Sequence, residues 1–144
     1  MSVFFSRQCE YALQAIMVLA TKSGDGWTSV SEITERIDGP ISYLAKILQD
    51  LSRKGILESQ KGLHGGFKLA RSSDRITLLE IVEVIDGTEF LKRCVLGFPD
   101  CSTEKACPVH ETWGPLRELF KRLLLENSVA DLVAKTPRKF TSLA

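Results

Sequence analysis

Apolar and polar positions alternate with helical periodicity over most of the chain. In four segments apolar residues recur at i, i+3, i+4 or i+7, and a glycine follows each segment. These segments predict helices over residues 6–22, from Ser29 to the Asp38-Gly39-Pro40 turn, over 42–54 and over 77–86. Ser29 and Thr77 each stand three residues before a glutamate, which predicts capping boxes at two of the helix starts.

The third predicted helix has two chemically different faces. One face is an apolar stripe that contains Leu44, Ile47, Leu48 and Leu51. The opposite face is polar and basic, with Tyr43 near its leading end; its members are Ser42, Lys46, Gln49 and Arg53. Two amphipathic helices joined by a short turn, the second of them basic outside, indicate a helix-turn-helix.

Two short strand-like runs follow, over residues 56–60 and 67–70. They flank a glycine-rich turn over residues 61–66, with Lys61 and Lys68 on its shoulders. A hairpin directly after a recognition-type helix is typical of a winged helix, and glycine lets such a tip approach a nucleic-acid backbone closely. His64 in this turn is interpreted as facing DNA or solvent. A nucleotide-binding loop is disfavoured because neither phosphate-loop motif is present.

The second half of the chain begins with an irregular stretch, residues 88–109, that holds three of the four cysteines. A final long helix is predicted over residues 110–126. Its apolar stripe contains Trp113, Leu116, Phe120 and Leu123, widened by Leu119 and Leu124. Packing in the core and packing against a second copy explain this stripe equally well. The tail after Asn127 is expected to be loosely ordered.

Composition and charge narrow the class of protein. The 144 residues, of which 44% are hydrophobic and 26% charged, suit one globular domain or a domain plus an appendage. The longest uncharged apolar stretch, residues 11–20, is too short for a membrane span, and no export signal is recognised, so the cytoplasm is expected. The net charge is +1, but residues 43–71 carry six cations against two carboxylates. This basic patch suits phosphate binding, although a solvated surface gives the same pattern.

The cysteines suggest a soft-metal or redox site. Six residues separate Cys94 from Cys101, and five separate Cys101 from Cys107. Pro108 and Val109 then precede His110. Thiolates suit iron–sulfur clusters, zinc and copper(I), but this spacing matches neither a zinc ribbon nor a bacterial ferredoxin. Three unrelated thiols are the alternative. Cys9, within the first helix, is interpreted as a buried, inert thiol.

Together these features resemble the IscR/NsrR-type family of bacterial winged-helix transcription regulators. The resemblance covers residues 6–126. Residues 41–44 look like the start of the family's recognition helix, residues 61–69 are similar to its RGxxGGYxL wing, and residues 76–87 are similar to its ITLxEIxxAxDG helix. The three clustered cysteines stand where cluster-binding members hold theirs, and His110 and Trp113 are similar to the CLTHALW passage of the IscR branch.

The resemblance implies a mainly α fold with a small β-hairpin. It implies a winged helix-turn-helix over residues 1–75, a connecting helix and cysteine loop over 76–109, a dimerisation helix over 110–127 and a tail over 128–144. The protein is then no enzyme but a homodimeric regulator that reads a two-fold operator on double-stranded DNA. Redox state, nitric oxide or loss of the cluster would change its DNA affinity.

The resemblance also implies an iron–sulfur cluster on each subunit, with 2Fe–2S favoured and 4Fe–4S as the alternative. Its ligands would be Cys94, Cys101, Cys107 and either His110 or Glu10 of the other subunit, with His110 favoured. One departure is the first cysteine interval, six residues where the family usually has five, which leaves the cluster type open.

The predicted DNA contacts lie on the third helix and the wing; they are Ser42, Tyr43, Lys46, Arg53, Lys61, His64 and Lys68. Ala45 replaces a glutamate of the IscR branch, so operator discrimination need not transfer. Two other classes of protein are weighed. One is a cluster-free regulator or interaction protein of the same fold, based on thiols or zinc. The other, a small redox enzyme or electron carrier, is disfavoured because no cofactor loop or acid–base constellation is evident. The operator and the sign of regulation, activation or repression, stay open.

Overall fold

The computed structural model describes residues 4–22, 26–99, 101, 104 and 106–136. Helices and one hairpin make up the architecture, which confirms the predicted mainly α fold. The elements are α1 (Arg7–Thr21), α2 (Val30–Thr34), α3 (Ile41–Arg53), β1 (Leu57–Gln60), β2 (Gly66–Leu69), α4 (Leu78–Ile85), α5 (His110–Glu126) and α6 (Val129–Lys135). Two 3-10 turns, Ser73–Arg75 and Glu89–Leu91, lie before and after α4.

The winged helix forms around one buried core. The apolar stripe of α3 is buried against α1, α2 and the hairpin, as predicted from its periodicity. Strands β1 and β2 pair antiparallel, with Leu57 opposite Leu69. Phe67 also exchanges two backbone hydrogen bonds with Thr28, at 2.8 and 3.0 Å. Gly66 beside this bridge has a φ of +146°, and a Cβ there would lie 2.2 Å from the Thr28 carbonyl oxygen. The hairpin is thus anchored at its base by a third segment.

Side-chain caps fix where the helices begin. Both predicted capping boxes are present, at Ser29 and at Thr77. Helix α1 starts at Ser6, whose Oγ accepts a hydrogen bond from the Cys9 amide. The Ser6 amide in turn donates to Asp86 at the end of α4 (2.8 Å), and the Ser6 hydroxyl donates to the same carboxylate. These bonds join the start of α1 to the end of α4.

The expectation of a loosely ordered tail is wrong for residues 128–136, which form α6 and its caps. Ser128 and Asp131 make a third capping box, and Val129 is fully buried in the main core. The Val129 amide donates to the Ile76 carbonyl (2.8 Å), and the Leu78 amide donates to the Asn127 carbonyl (3.1 Å). The cap and the buried valine hold this segment on the domain. Residues 137–144, with Pro137 and Arg138, lie outside the described part.

A second buried cluster joins α1, α4 and α5 below the winged helix. It contains Cys9, Leu78, Val82, Leu91 and Leu124. Aromatic rings extend it: the Phe120 ring lies 5.8 Å from that of Phe5 and 5.9 Å from that of Phe90. Cys9 is fully buried, as predicted. This cluster sets the position of α5 and of the loop that precedes it.

Candidate metal centre and nucleic-acid interface

The cysteine loop brings three thiols together. The Sγ atoms of Cys94, Cys101 and Cys107 all lie within 4.8 Å of one another, and Cys101 and Cys107 are 3.8 Å apart. Cys94 is buried, and the other two are half-buried. Convergence of three cysteines from an irregular stretch of chain favours a common centre over three unrelated thiols.

Cys94 lies at the start of a tight turn. The Gly97 amide donates to the Cys94 carbonyl (3.0 Å), with Gly97 at a φ of +81°. Burial alone would raise the pKa of Cys94, but amide hydrogen bonds from Leu96 and Phe98 and contacts with the other two thiols lower it below its ordinary value. Such N–H···S bonds stabilise a thiolate, which is the form that binds metal.

Cys107 lies in the turn that leads into α5. The His110 amide donates to the Cys107 carbonyl (3.0 Å). Burial, followed by contact with Cys94, raises the pKa of the Cys107 thiol. The pKa values of these two neighbouring thiols are therefore shifted in opposite directions, as expected when close thiols cannot all ionise without a cation.

His110 is the first residue of α5 and contacts one of the three thiols. Its Nδ1 atom lies 3.2 Å from the Cys101 Sγ atom. The alternative fourth ligand, Glu10, lies on α1, where its carboxylate is 3.4 Å from the Arg7 guanidinium and its side chain is 17% exposed. Within the chain His110 contacts Cys101, whereas the predicted role of Glu10 would involve the cysteine loop of a second copy.

The donor set fits a thiophilic metal centre. Thiolates that share one tetrahedral metal at bonds of about 2.3 Å lie about 3.8 Å apart. The separation of Cys101 and Cys107 has this value, and the loop brings Cys94 close enough to join them. Three thiolates and one imidazole suit both an iron–sulfur cluster and zinc.

The outer face of α3 presents a row of exposed side chains. Ser42, Lys46 and Arg53 are exposed. Arg53 pairs with Asp50 of the same helix (3.1 Å). Tyr43 differs from the others, because it is half-buried and its ring packs edge-on against Tyr11 with centroids 5.7 Å apart. Tyr43 is therefore less accessible than the other predicted contacts on this face.

The wing tip is more exposed than its base. Lys61 and His64 are exposed, and Leu63 between them is 94% exposed. Lys68 at the base is held by two neighbours, since its Nζ lies 3.5 Å from the Glu58 carboxylate and 4.6 Å from the centre of the Trp27 ring. Sequence reasoning missed both the Trp27 contact and the exposed Leu63. An apolar residue within a glycine-rich turn is the signal that could have indicated the latter.

Three of the six cations counted in the basic patch are paired within the chain. Besides Arg53 and Lys68, Arg71 pairs with Glu80 of α4 (2.9 Å). The described residues show no ion pair for Lys46, Lys54 or Lys61. The charge available to a polyanion is therefore concentrated on the α3 face and the wing tip.

Helix α5 carries two stripes rather than the single predicted one. Trp113, Phe120 and the fully buried Leu124 face the loop and the second core cluster. Leu116, Leu119 and Leu123 are 52%, 60% and 49% exposed and line a shallow groove with the aliphatic part of Arg122. The predicted 3-4-3 stripe combined residues of both faces, because Trp113 and Phe120 face inward and Leu116 and Leu123 face outward. Leu116, Leu119 and Leu123 are called the outer leucines, and no other part of the described chain covers them.

None of the helices in the described ranges is long and apolar enough to cross a bilayer. This agrees with the short apolar stretches of the sequence.

Comparison with known proteins identifies the family. The family model Rrf2, described as "Iron-dependent Transcriptional regulator", matches residues 5–135. A helix-turn-helix type transcriptional regulator from Aquifex aeolicus is 32% identical over 133 residues, 91% of this chain and 92% of that protein. The IscR regulator of Xenorhabdus nematophila is 30% identical over 123 residues, 85% of this chain and 74% of that protein.

Two solved structures share the fold. CymR, the global cysteine regulator of B. subtilis, superposes with a TM-score of 0.80 at 25% identity, over 94% of this chain and all of that one. T. potens IscR gives a TM-score of 0.70 at 26% identity, over 96% of this chain and 93% of the other. These matches confirm the resemblance found in the sequence and the expectation that the protein is not an enzyme. The chain belongs to the Rrf2 family of transcriptional regulators.

Proposed function

We propose that this protein is a cytoplasmic, homodimeric transcription regulator whose affinity for DNA depends on an iron–sulfur cluster held by its cysteine loop. The observation that carries the proposal is the convergence of Cys94, Cys101 and Cys107 within 4.8 Å, with His110 in contact. The cluster would be 2Fe–2S, with 4Fe–4S as the alternative, one per subunit.

Iron is favoured over zinc by the comparisons. The matching family model is described as iron-dependent, and similar proteins are named IscR. A zinc- or thiol-based regulator is the second candidate. It is supported by the donor set itself, because three thiolates with one imidazole also form structural zinc sites. The similarity to a protein called the global cysteine regulator points the same way.

The ligand residues would each have a distinct part. Cys94, Cys101 and Cys107 would hold the cluster as thiolates, and the amides of Leu96 and Phe98 would offset the negative charge on Cys94. His110 would complete the set. When bound, the cluster supplies a centre that is sensitive to oxidants and nitric oxide, and a nitrogen ligand suits a sensor better than an electron carrier, for which four thiolates are usual.

DNA would be read by α3 and the wing. The exposed face of α3 would enter the major groove, where Ser42, Lys46 and Arg53 would contact base edges and adjacent phosphates. The half-buried Tyr43 would lie beside them. Lys61 and His64 at the wing tip would contact the backbone, and Lys68 would add charge at the base. Two half-sites about 34–36 Å apart would require two copies of α3 in a fixed relation.

A second copy would supply that relation through α5. Leu116, Leu119 and Leu123 form an exposed apolar row on a helix that also touches the cysteine loop. Exposed leucines in a row at this spacing are typical of a helix–helix interface. The homodimer would cover this row and hold both recognition helices.

Metal analysis of protein purified without oxygen tests the proposal. We expect a brown protein with visible absorption and with iron and sulfide in equal amounts. Cys107→Ser should remove the colour, whereas Cys9→Ser is the matched control because Cys9 is buried in the core cluster of α1, α4 and α5. Colourless wild-type protein that contains zinc would instead establish the second candidate.

A further inference from the structure

Two side chains of α5 hold the backbone that precedes the first cysteine. The Trp113 indole N–H donates to the Arg93 carbonyl (3.0 Å). The Arg117 guanidinium donates through Nη1 to the Lys92 carbonyl (3.0 Å) and the Arg93 carbonyl (3.3 Å). We call this set of three hydrogen bonds the carbonyl clamp. Its acceptors are the two residues immediately before Cys94.

The clamp shares a helix face with the candidate metal ligand. His110, Trp113 and Arg117 follow one another at i, i+3 and i+7, so their side chains project from one side of α5. His110 contacts Cys101 in the middle of the cysteine loop, and the clamp holds the start of that loop. The loop is therefore tied to α5 at its start and its middle, besides the covalent connection at its end.

The way in which Arg117 is held carries a free-energy cost. Its Nε atom is buried and finds no hydrogen-bond partner among the described residues. A buried donor without an acceptor is unfavourable, and a long charged side chain loses entropy when it is fixed. Two carbonyl oxygens are neutral acceptors, so they satisfy the guanidinium only in part. A cost of this kind is typical of a residue whose position matters.

We propose that Trp113 and Arg117 are positioning residues that transmit the state of the cysteine site to α5, and through α5 to DNA affinity. The inference rests on the proposed function. A backbone shift at Cys94 would displace the adjoining carbonyls of Arg93 and Lys92, which the clamp holds. Such a displacement would either break the hydrogen bonds of the clamp or shift α5. The outer leucines of α5 are the candidate dimer face.

The outer leucines connect the position of α5 to DNA affinity. Leu116 and Leu119 flank Arg117 along the helix but lie on its outer side. A small rotation of α5 about its axis would move these leucines relative to the partner copy. Because the two recognition helices must match half-sites of fixed separation, such a rotation changes operator affinity. Without the clamp, the start of the loop could move while α5 remained in place, and only the His110 contact and the chain itself would still join the loop to α5.

Conservative variants test the clamp without removing a metal ligand. Trp113→Phe keeps the ring and removes one N–H donor, and Arg117→Lys keeps the charge and removes the forked donor geometry. Lys121→Arg is the matched control, because Lys121 is an exposed cation of the same helix that lies outside the groove of the outer leucines. Each protein is examined cluster-loaded and cluster-free, with iron content and visible spectrum recorded for both.

The decisive number is the ratio of operator affinities of the loaded and cluster-free forms. For wild-type protein and Lys121→Arg we expect a ratio of about tenfold or more, within the usual range of allosteric coupling. For the double variant Trp113→Phe/Arg117→Lys we expect the ratio to fall by about threefold or more, with iron content unchanged, because the His110 contact still joins the loop to α5. A double variant that keeps the wild-type ratio, or whose two affinities fall by one common factor, would overturn the proposal.

Hydrogen exchange in the cluster-free protein gives a readout that is independent of the metal. Amides of residues 92–97 and of the first turns of α5 should lose protection together in each single variant and keep it in Lys121→Arg. Unchanged exchange would overturn the clamp whatever the cofactor. A wild-type protein whose operator affinity ignores the cluster would instead contradict the proposed function, and this failure is visible before any variant is made.

Discussion

The Nδ1 atom of His110 lies 3.2 Å from the Sγ atom of Cys101. This contact joins the middle of the cysteine loop to the first residue of α5, the helix that also carries the exposed leucines. A change at the thiols therefore reaches a candidate dimer face across a single residue.

His110 should contribute to cluster retention. We expect His110→Ala to lose its visible absorption in air at least about tenfold faster than wild type, because one iron loses its nitrogen ligand. Glu10→Gln serves as the comparison, and it should behave like wild type if the fourth ligand comes from the same chain. The reverse order of the two variants would assign the fourth ligand to Glu10 of the partner subunit.

The outer leucines of α5 should hold the dimer. Leu119→Lys places a charge in the middle of the exposed row, and we expect it to shift the protein to a monomer in sedimentation velocity experiments. Leu125→Lys is the matched control, since Leu125 is similarly exposed (45%) but lies on the opposite side of the helix. A dimer that survives Leu119→Lys would place the interface elsewhere.

Lysines of the wing should differ in their contribution to DNA binding. Lys61→Ala should lower the salt dependence of operator binding by about 0.9 in the log–log slope, because one phosphate contact is lost. Lys68→Ala should change the slope less, since Lys68 is shared between Glu58 and Trp27. Lys121→Ala on α5 is the control. Equal effects of all three substitutions would contradict a role for the wing tip.

Cys9 should be the least reactive of the four thiols. Burial, together with the nearby Asp86 carboxylate, raises the pKa of Cys9 to about 12, so almost no thiolate forms at pH 8. In cluster-free protein we expect iodoacetamide to modify Cys101 and Cys107, which are half-buried, well before Cys9. Mass spectrometry of peptides after timed alkylation measures this order. Early labelling of Cys9 would show that α1 does not pack as described.

The cap of α6 should make stability depend on pH. Hydrogen bonds from the Ser128 amide and hydroxyl, both 2.9 Å, lower the pKa of Asp131 in the fold. Because the unfolded chain then binds the proton more tightly, the stabilisation is complete above the ordinary aspartate pKa of about 3.9 and is lost as the pH falls through the lower folded value.

Urea unfolding measures this contribution. The midpoint of Asp131→Asn should lie below that of wild type at pH 7, and the difference should shrink as the pH falls below about 4. Glu118→Gln, which neutralises an exposed carboxylate on α5, should show no such convergence. A difference that stays constant with pH would mean that the Asp131 carboxylate does not stabilise the helix start.

Local signals in the sequence predict most of the fold. Helix α5 begins and ends at the predicted residues, 110 and 126, and α3 differs by one residue at each end. The capping boxes at Ser29 and Thr77 marked two further helix starts correctly. Helix α6 starts at a similar cap, in which Asp131 stands where the other two boxes have a glutamate. The proline and the charges after this segment favour a tail, and the buried Val129 that holds it on the core is a tertiary contact.

Side-chain contacts between different elements could not be predicted from the sequence. The contact of Lys68 with Trp27 joins residues 41 positions apart, and the ion pair of Arg71 with Glu80 joins two different elements, so charge counting overestimated the available basic patch. For the same reason the carbonyl clamp of Trp113 and Arg117 has no sequence signature. The cysteine spacing predicted a shared centre, and the structure brings the three thiols together. The fourth ligand and the DNA contacts stay predictions.

The operator affinity of one preparation, measured before and after cluster removal under argon, tests the central claim most directly. The probe is a fluorescently labelled duplex that the protein selects from a pool of genomic fragments in an anaerobic gel shift. Its binding is followed by fluorescence anisotropy, with iron and sulfide counted in each sample. The account predicts at least about a tenfold change in the dissociation constant when the cluster is removed, and reversal when it is rebuilt. Identical affinities in the two states, with iron verified in the first, would contradict it.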